Sequence, residues 1–203
     1  MELAQPAKKK KRRQQTIPAY LTEEEISRLL RATRVNPRDR AIFTVCYHRG
    51  LRASELGLIN LDDYDPEFGR LTIRRLKGSR GGEYPLTHAE KVALGAWLRE
   101  RDKTPGPLFI TQKKRGISRK TLHGLMRRYC EIAHIHKSKA HMHALKHSCG
   151  THLSSQSNDI VGIQDHMGHI AIQNTMKYVQ ISSKRRMDFA QGLERSGWGL
   201  SRS

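Results

Sequence analysis

The sequence predicts a mainly α-helical domain with one small antiparallel β-sheet, an α+β arrangement. Three observations lead there. Apolar residues recur at the three-and-four spacing of amphipathic helices in most segments between residues 22 and 179, several of them opened by a capping residue. One pair of segments, 70–75 and 83–86, alternates in strand fashion about a glycine-rich turn. The 203 residues, 36% of them apolar, suffice for one ordinary core and contain no run near the ~20 apolar residues that span a bilayer.

Taken in order, residues 1–17 are basic and low in complexity, and are expected to be a disordered arm. Order should begin with the capping-box pattern Thr22-Glu23-Glu24-Glu25, followed by Ile26, Leu29 and Leu30 at helical spacing. Asn36-Pro37 ends that helix. A largely buried helix is expected over 38–48, stopped by Gly50, and a short one over 53–58. The hairpin of 70–75 and 83–86 carries Lys77 near its tip. An amphipathic helix over 88–102 shows Val92, Leu94, Trp97 and Leu98, and Leu108-Phe109-Ile110 reads as one more short strand. Ser118 caps a helix reaching Ala133, and further helices are expected over 142–155, 159–167, 171–179 and 187–193. The main folded unit is placed at 18–183 and a C-terminal tail at 184–203.

The charge points to a polyanionic partner. Against 19 acidic residues stand 38 Lys and Arg, a formal net charge of +19. The run Lys8 to Arg13 supplies six of these charges and leaves thirteen on the rest, so the excess belongs to the folded part as well. Such a surplus repels itself unless neutralised, and nucleic acid is the commonest polyanion to do so. The N-terminus lacks the apolar stretch of a signal peptide. The three cysteines form no C-x-x-C pair. Both features point to a reducing, cytoplasmic setting.

Four residue groups could carry chemistry. His143 and Lys146, three apart on a predicted helix, share a face on which both could donate to phosphate oxygens. His169 follows Gly168, a residue suited to ending a helix. Tyr178 lies nine residues further on, and tyrosine can act as a covalent nucleophile once its proton is removed. The histidines crowded between His134 and His152 leave a zinc site open as an alternative, although they lack the tight paired spacing of zinc ligands.

The joint order is more specific than any one motif. Gly50-Leu51-Arg52-Ala53-Ser54-Glu55-Leu56, the hairpin Leu76-Lys77-Gly78, His143-Ala144-Leu145-Lys146-His147, Met167-Gly168-His169 and finally Tyr178 resemble the pattern of the phage integrase, or tyrosine recombinase, family. The resemblance runs from about residue 21 to 182 and implies the integrase-type catalytic fold. It implies that Tyr178 attacks a DNA phosphodiester to form a 3′-phosphotyrosyl link, with no metal, ATP or other cofactor. It implies that Arg52, Lys146 and His169 hold the phosphate, that Lys77 protonates the leaving 5′-oxygen, and that His143 helps move the tyrosine proton. Glu55 reads as the residue that orients Arg52. One position departs from the pattern. Lys146 stands where the family has arginine, keeping the charge but losing the two-pronged fork. Met167 in place of leucine is milder. A catalytically weakened DNA-binding or regulatory protein of the same fold is therefore the alternative, with a type IB topoisomerase sharing the chemistry.

The length resembles the catalytic-domain-only recombinases, such as those that invert a promoter segment; a piece of a longer protein is the other reading. In this family the segment after the nucleophile often packs on a neighbouring protomer. The chain is accordingly expected to assemble as a dimer or tetramer on DNA, with Met187, Phe189, Leu193 and Trp198 as anchors of the tail.

Overall fold

A computed structural model of the chain describes residues 18–76, 79–179 and 183–195. The elements are α1 (Glu23–Ala32), α2 (Pro37–His48), α3 (Ala53–Leu56), β1 (Tyr64–Asp65), β2 (Arg70–Ile73), β3 (Gly82–Pro85), α4 (His88–Glu100), α5 (Arg119–Ile132), α6 (Met142–Gln156), α7 (Ile160–His166), α8 (Gln173–Met176) and α9 (Ser183–Arg195). The class is the expected one, and no helix among the described residues is long and apolar enough to cross a membrane. The basic arm at 1–17, Lys77 and Trp198 lie outside the described residues.

Local chemistry explains most boundaries. The Thr22 hydroxyl accepts from the Glu25 amide and the Glu25 carboxylate accepts from the Thr22 amide, a reciprocal cap that opens α1. Asn36 caps α2 with Pro37 at its first position, where a missing N–H costs nothing. Thr87 caps α4 and Ser118 caps α5. The sheet is a three-stranded antiparallel ribbon in the order β1-β2-β3, with Leu71 opposite both Tyr64 and Tyr84.

Three expectations need correction. Leu108 to Ile110 is not a strand: the backbone there makes only isolated bridges, Asn60 with Pro107 and Ile110 with Gly116, too few to propagate a ladder. The helix expected over 171–179 shrinks to Gln173–Met176, because the chain first has to turn away from His169. Val92 is exposed, and the inward face of α4 is instead formed by Glu90, Ala93, Leu94 and Trp97.

The centre of the core is α2. Its residues Ala41 to Cys46 are all buried, because α4, α6 and α1 pack on different sides of it, so it shows little of the one-sided pattern of a surface helix. Around it lie Leu29, Leu51, Leu71, Leu94, Phe109, Leu122, Met126 and Leu145. A smaller cluster of Cys149, Ile163, Met167 and Tyr178 packs against Tyr47 and Leu153 and carries the C-terminal part of the site.

A buried ion pair ties the end of α2 to the start of α4. Arg49 donates through Nε to Glu90 at 2.7 Å, through Nη2 to the other Glu90 oxygen, and to the Pro85 carbonyl at 2.7 Å. Burial alone would raise the Glu90 carboxyl, but the neighbouring His48 and the Arg49 guanidinium outweigh it and hold it down at about 2. Its folded value is thus below its unfolded one. The resulting stability is complete above about pH 4.5 and is lost as pH falls toward 2. Arg49→Ala strands a buried carboxylate and should lower the unfolding free energy by about 3–5 kcal/mol in urea titrations at pH 7. A loss below about 1 kcal/mol would show that water or His48 replaces the guanidinium.

Candidate active site

The first component comes from the turn after α2. Gly50 has φ +53°, a left-handed conformation, and a Cβ there would meet Met167 Sδ at 2.5 Å, so glycine serves both the turn and the contact. The turn buries Leu51 and sends Arg52 outward at the head of α3. Arg52 Nη1 donates to Glu55 Oε1 at 2.6 Å and to Ser79 Oγ at 2.5 Å, and its backbone amide donates to Glu55 Oε2 at 2.8 Å. Glu55 is fully buried, whereas about a third of the Arg52 side chain stays open. The expected orienting role of Glu55 therefore has its geometry: one carboxylate fixes both ends of the arginine.

Helix α6 supplies the second component. His143 faces solvent and sits edge-on to His147, with ring centroids 5.1 Å apart. Lys146 does not share that exposed face. It is 3% exposed, and Nζ donates to the Gly50 carbonyl at 2.6 Å and the Met167 carbonyl at 3.2 Å. Burial, then the charges of Arg75 and Arg52, bring its ammonium down to about 8 despite the opposing pull of Glu55. An α-helix buried on most sides leaves a long side chain little choice of direction, and this one spans the gap between two turns.

The third component follows α7. Gly168 has φ +63° and closes the helix, as expected. His169 is buried, and Nδ1 pairs with Thr175 Oγ1 at 3.0 Å. Its ring lies nearly parallel to Tyr178, at 16° and 6.3 Å between centroids. Tyr178 is only 4% exposed. Its ring rests on Gly150, where a Cβ would come within 2.6 Å of it, and its carbonyl accepts from Ser154 Oγ at 2.7 Å. The phenol oxygen pairs with His147 Nδ1 at 2.9 Å. Burial pushes the phenol up to about 12, partly opposed by the charge of Arg52. His147 and His169 are both held down at about 4, first by burial and then by surrounding cations, so each is neutral near pH 7. A neutral His147 whose Nδ1 carries no hydrogen can accept from the phenol.

Five of the six residues singled out in the sequence thus gather in one place. His143 and His169 both feel the charges of Lys146 and Arg52, and Tyr178 feels that of Arg52. For the sixth, Lys77, the flanking hairpin does reach the site: Ser79 bridges to His169 and Arg80 N donates to the Gly168 carbonyl at 3.0 Å. Two neighbours were missed. His147, one turn from His143, is the histidine that touches the phenol. Arg75 is the other. It continues the inward alternation of Leu71 and Ile73, which was the signal that could have found it. The histidines once weighed for zinc have separate partners: His136 pairs with Ser138, His141 caps α6, and His152 pairs with Tyr47 at 2.8 Å. Among the described residues no three His, Cys, Asp or Glu side chains are grouped to hold a metal ion.

Known proteins resemble the chain in sequence and in fold. The profile of the Phage integrase family matches residues 19–185. The Type 1 fimbriae regulatory protein FimE of Escherichia coli K12 is 30% identical over 174 residues, covering 82% of this chain and 87% of its own length. Tyrosine recombinase XerA of Pyrococcus furiosus is 32% identical over 173 residues, covering 83% of this chain but 59% of its own length. Among solved structures, XerA recombinase superposes with a TM-score of 0.74 at 26% identity, over 87% of this chain and 65% of that one. The catalytic domain of bacteriophage HP1 integrase, at 21% identity, shares the fold with a TM-score of 0.62 over 85% of this chain and 94% of that domain. With its profile matched across nearly all of the described residues, the chain belongs to the phage integrase family of tyrosine recombinases.

Proposed function

We propose that the protein is a site-specific DNA recombinase that works through Tyr178. The phenol oxygen attacks a backbone phosphorus, the bond from phosphorus to the 5′-oxygen breaks, and the departing oxygen takes up a proton. A 5′-hydroxyl from a partner strand later attacks the phosphotyrosine, and the phenol leaves. The observation that carries this reading is the 2.9 Å pairing of Tyr178 with His147 at the edge of a buried cluster of cations. Phosphoryl transfer depends mainly on positioning and on stabilising charge, and these are what the cluster offers. Arg52, with its open third and its buried Glu55 anchor, is the group best placed to meet a phosphate oxygen. His169 and Lys146 add a hydrogen bond and a positive field, His143 faces the side from which DNA approaches, and Lys77 protonates the leaving oxygen. His147 takes the role first assigned to His143, receiving the phenol proton.

Double-stranded DNA is the partner that the net charge of +19 favours. Among the structural neighbours, XerH was solved on its difH substrate; it is 24% identical, with a TM-score of 0.73 over 86% of this chain and 54% of that one. Self-assembly through the C-terminal tail is part of the same reading, and Met187 and Phe189 lie exposed on α9. A cytoplasmic setting follows from a DNA substrate and three buried free cysteines. A second reading, a DNA-binding protein with little or no cleavage, is favoured by one observation: Lys146 gives two of its donors to backbone carbonyls and is 97% covered.

The readings separate on a nicked suicide substrate built from repeats flanking the gene. Wild-type protein should accumulate a covalent adduct, and Tyr178→Phe should bind the same DNA with unchanged affinity and form none. An adduct persisting in Tyr178→Phe rules out this nucleophile; no adduct from wild type on any such substrate favours the second reading. Lys146→Met, similar in volume and uncharged, should slow trapping by about 10²–10³ while affinity holds. Lys146 is charged below about 8, so the second-order trapping rate should fall as pH rises through that value in wild type. A rate that stays level to pH 10 would show that this charge is not used.

A further inference from the structure

We propose that Arg75 is a positioning residue of the cleavage site, a buried guanidinium that pins the segments carrying Arg52, Lys146 and His169 in register. The proposal rests on the recombinase reading above and adds a residue outside the six first singled out.

Arg75 follows β2 and its side chain is fully buried. Nη2 donates to the Arg49 carbonyl at 2.9 Å and to the His166 carbonyl at 2.9 Å; Nη1 lies 3.5 Å from both the Gly50 carbonyl and Glu55 Oε2. These acceptors belong to three different pieces of chain. Arg49 and Gly50 form the turn that leads into Arg52. His166 ends α7, three residues before His169. Glu55 is the carboxylate that fixes Arg52. The Gly50 carbonyl is also the one that holds Lys146. The planar fork of arginine suits this task, since it reaches several oxygens in fixed directions where a lysine would reach one or two.

The surroundings are shaped to the guanidinium. Gly168 has no side chain, and a Cβ there would meet Arg75 Cδ at 2.4 Å. The Tyr84 ring lies 6.0 Å from Arg75 Cζ. Nε has no partner among the described residues, so this buried cation is not held by pairing at every donor. Burying a charge under those terms is costly, and a fold that needed only to join three loops could have used apolar side chains. What the charge supplies is a fixed positive field inside the site. The groups facing Lys146 from the elements around it are Cys46 on α2, Arg52 and Glu55 on α3, Arg75, His143, His147 and Cys149 on α6, and His169 after α7. Of the charges acting on that ammonium, Arg75 has the largest effect and lowers its pKa.

The test compares wild type, Arg75→Met and Arg75→Lys. Each is measured for thermal unfolding, DNA affinity, the trapping rate between pH 6 and 10, and the Lys146 titration followed through its ¹³Cε shift. In Arg75→Met, trapping should slow at least tenfold at pH 7 with DNA affinity within twofold. The Lys146 titration should move upward from about 8, because a neighbouring positive charge has gone. The alkaline fall in rate should move with it. Arg75→Lys should restore the titration but not the full rate, since it keeps charge and loses the fork. The inference fails if Arg75→Met traps within twofold of wild type and Lys146 titrates at an unchanged pH. Should Arg75→Met not fold, Arg75→Lys decides: a wild-type rate there overturns the need for the fork. Wild-type trapping in the same series separates this failure from that of the recombinase reading, which would show as no adduct at all.

Discussion

The site depends on one buried carboxylate. Glu55 accepts from the Arg52 amide and guanidinium, lies 3.5 Å from Arg75, and opposes the drop in Lys146. Arg75 and Lys146 are buried and Arg52 is partly so, and the interior screens their repulsion less than water does. Glu55 is the anion among them, in contact with Arg52 and Arg75 and acting on Lys146 through its charge alone. It sits on α3, a helix of only four residues, in a stretch of chain that also buries Leu51, Leu56 and Ile59.

Placing that carboxylate required the rest of the architecture. The central helix α2 has no exposed side over Ala41–Cys46 and is walled in by other helices, which fixes where its C-terminal turn emerges. The Arg49–Glu90 pair then holds that turn against α4, and Met167 packs over Gly50 from the opposite direction. The polar site is thus formed where two apolar clusters meet. Its members come from distant parts of the sequence, yet each stands at the end of an element or within a turn of one.

Much of this was legible in the sequence, and the exceptions have physical reasons. Caps and glycines mark helix ends through local hydrogen bonds, which is why Thr22 and Ser118 located their helices to within a residue or two. The order of motifs identified the family and the gathered residues. What failed was side-chain direction. Helical spacing put His143 and Lys146 on one face, but three residues subtend only part of a turn, and burial drew the lysine inward while the histidine stayed out. Arg75 ends the alternating segment 70–75, and the period of two places it on the inward side with Leu71 and Ile73. The strand expected at Leu108 to Ile110 failed for another reason: strand pairing is a property of two segments, and no composition of one reveals that its partner offers a single residue.

The resting place of the tyrosine has a further consequence. Its ring occupies a notch in α6 that exists because residue 150 has no side chain, and the phenol there is covered and strongly protonated. The attack proposed for Tyr178 therefore starts from a covered phenol. A side chain at residue 150 would collide with the ring, and moving the ring would break the pairing of the phenol with His147.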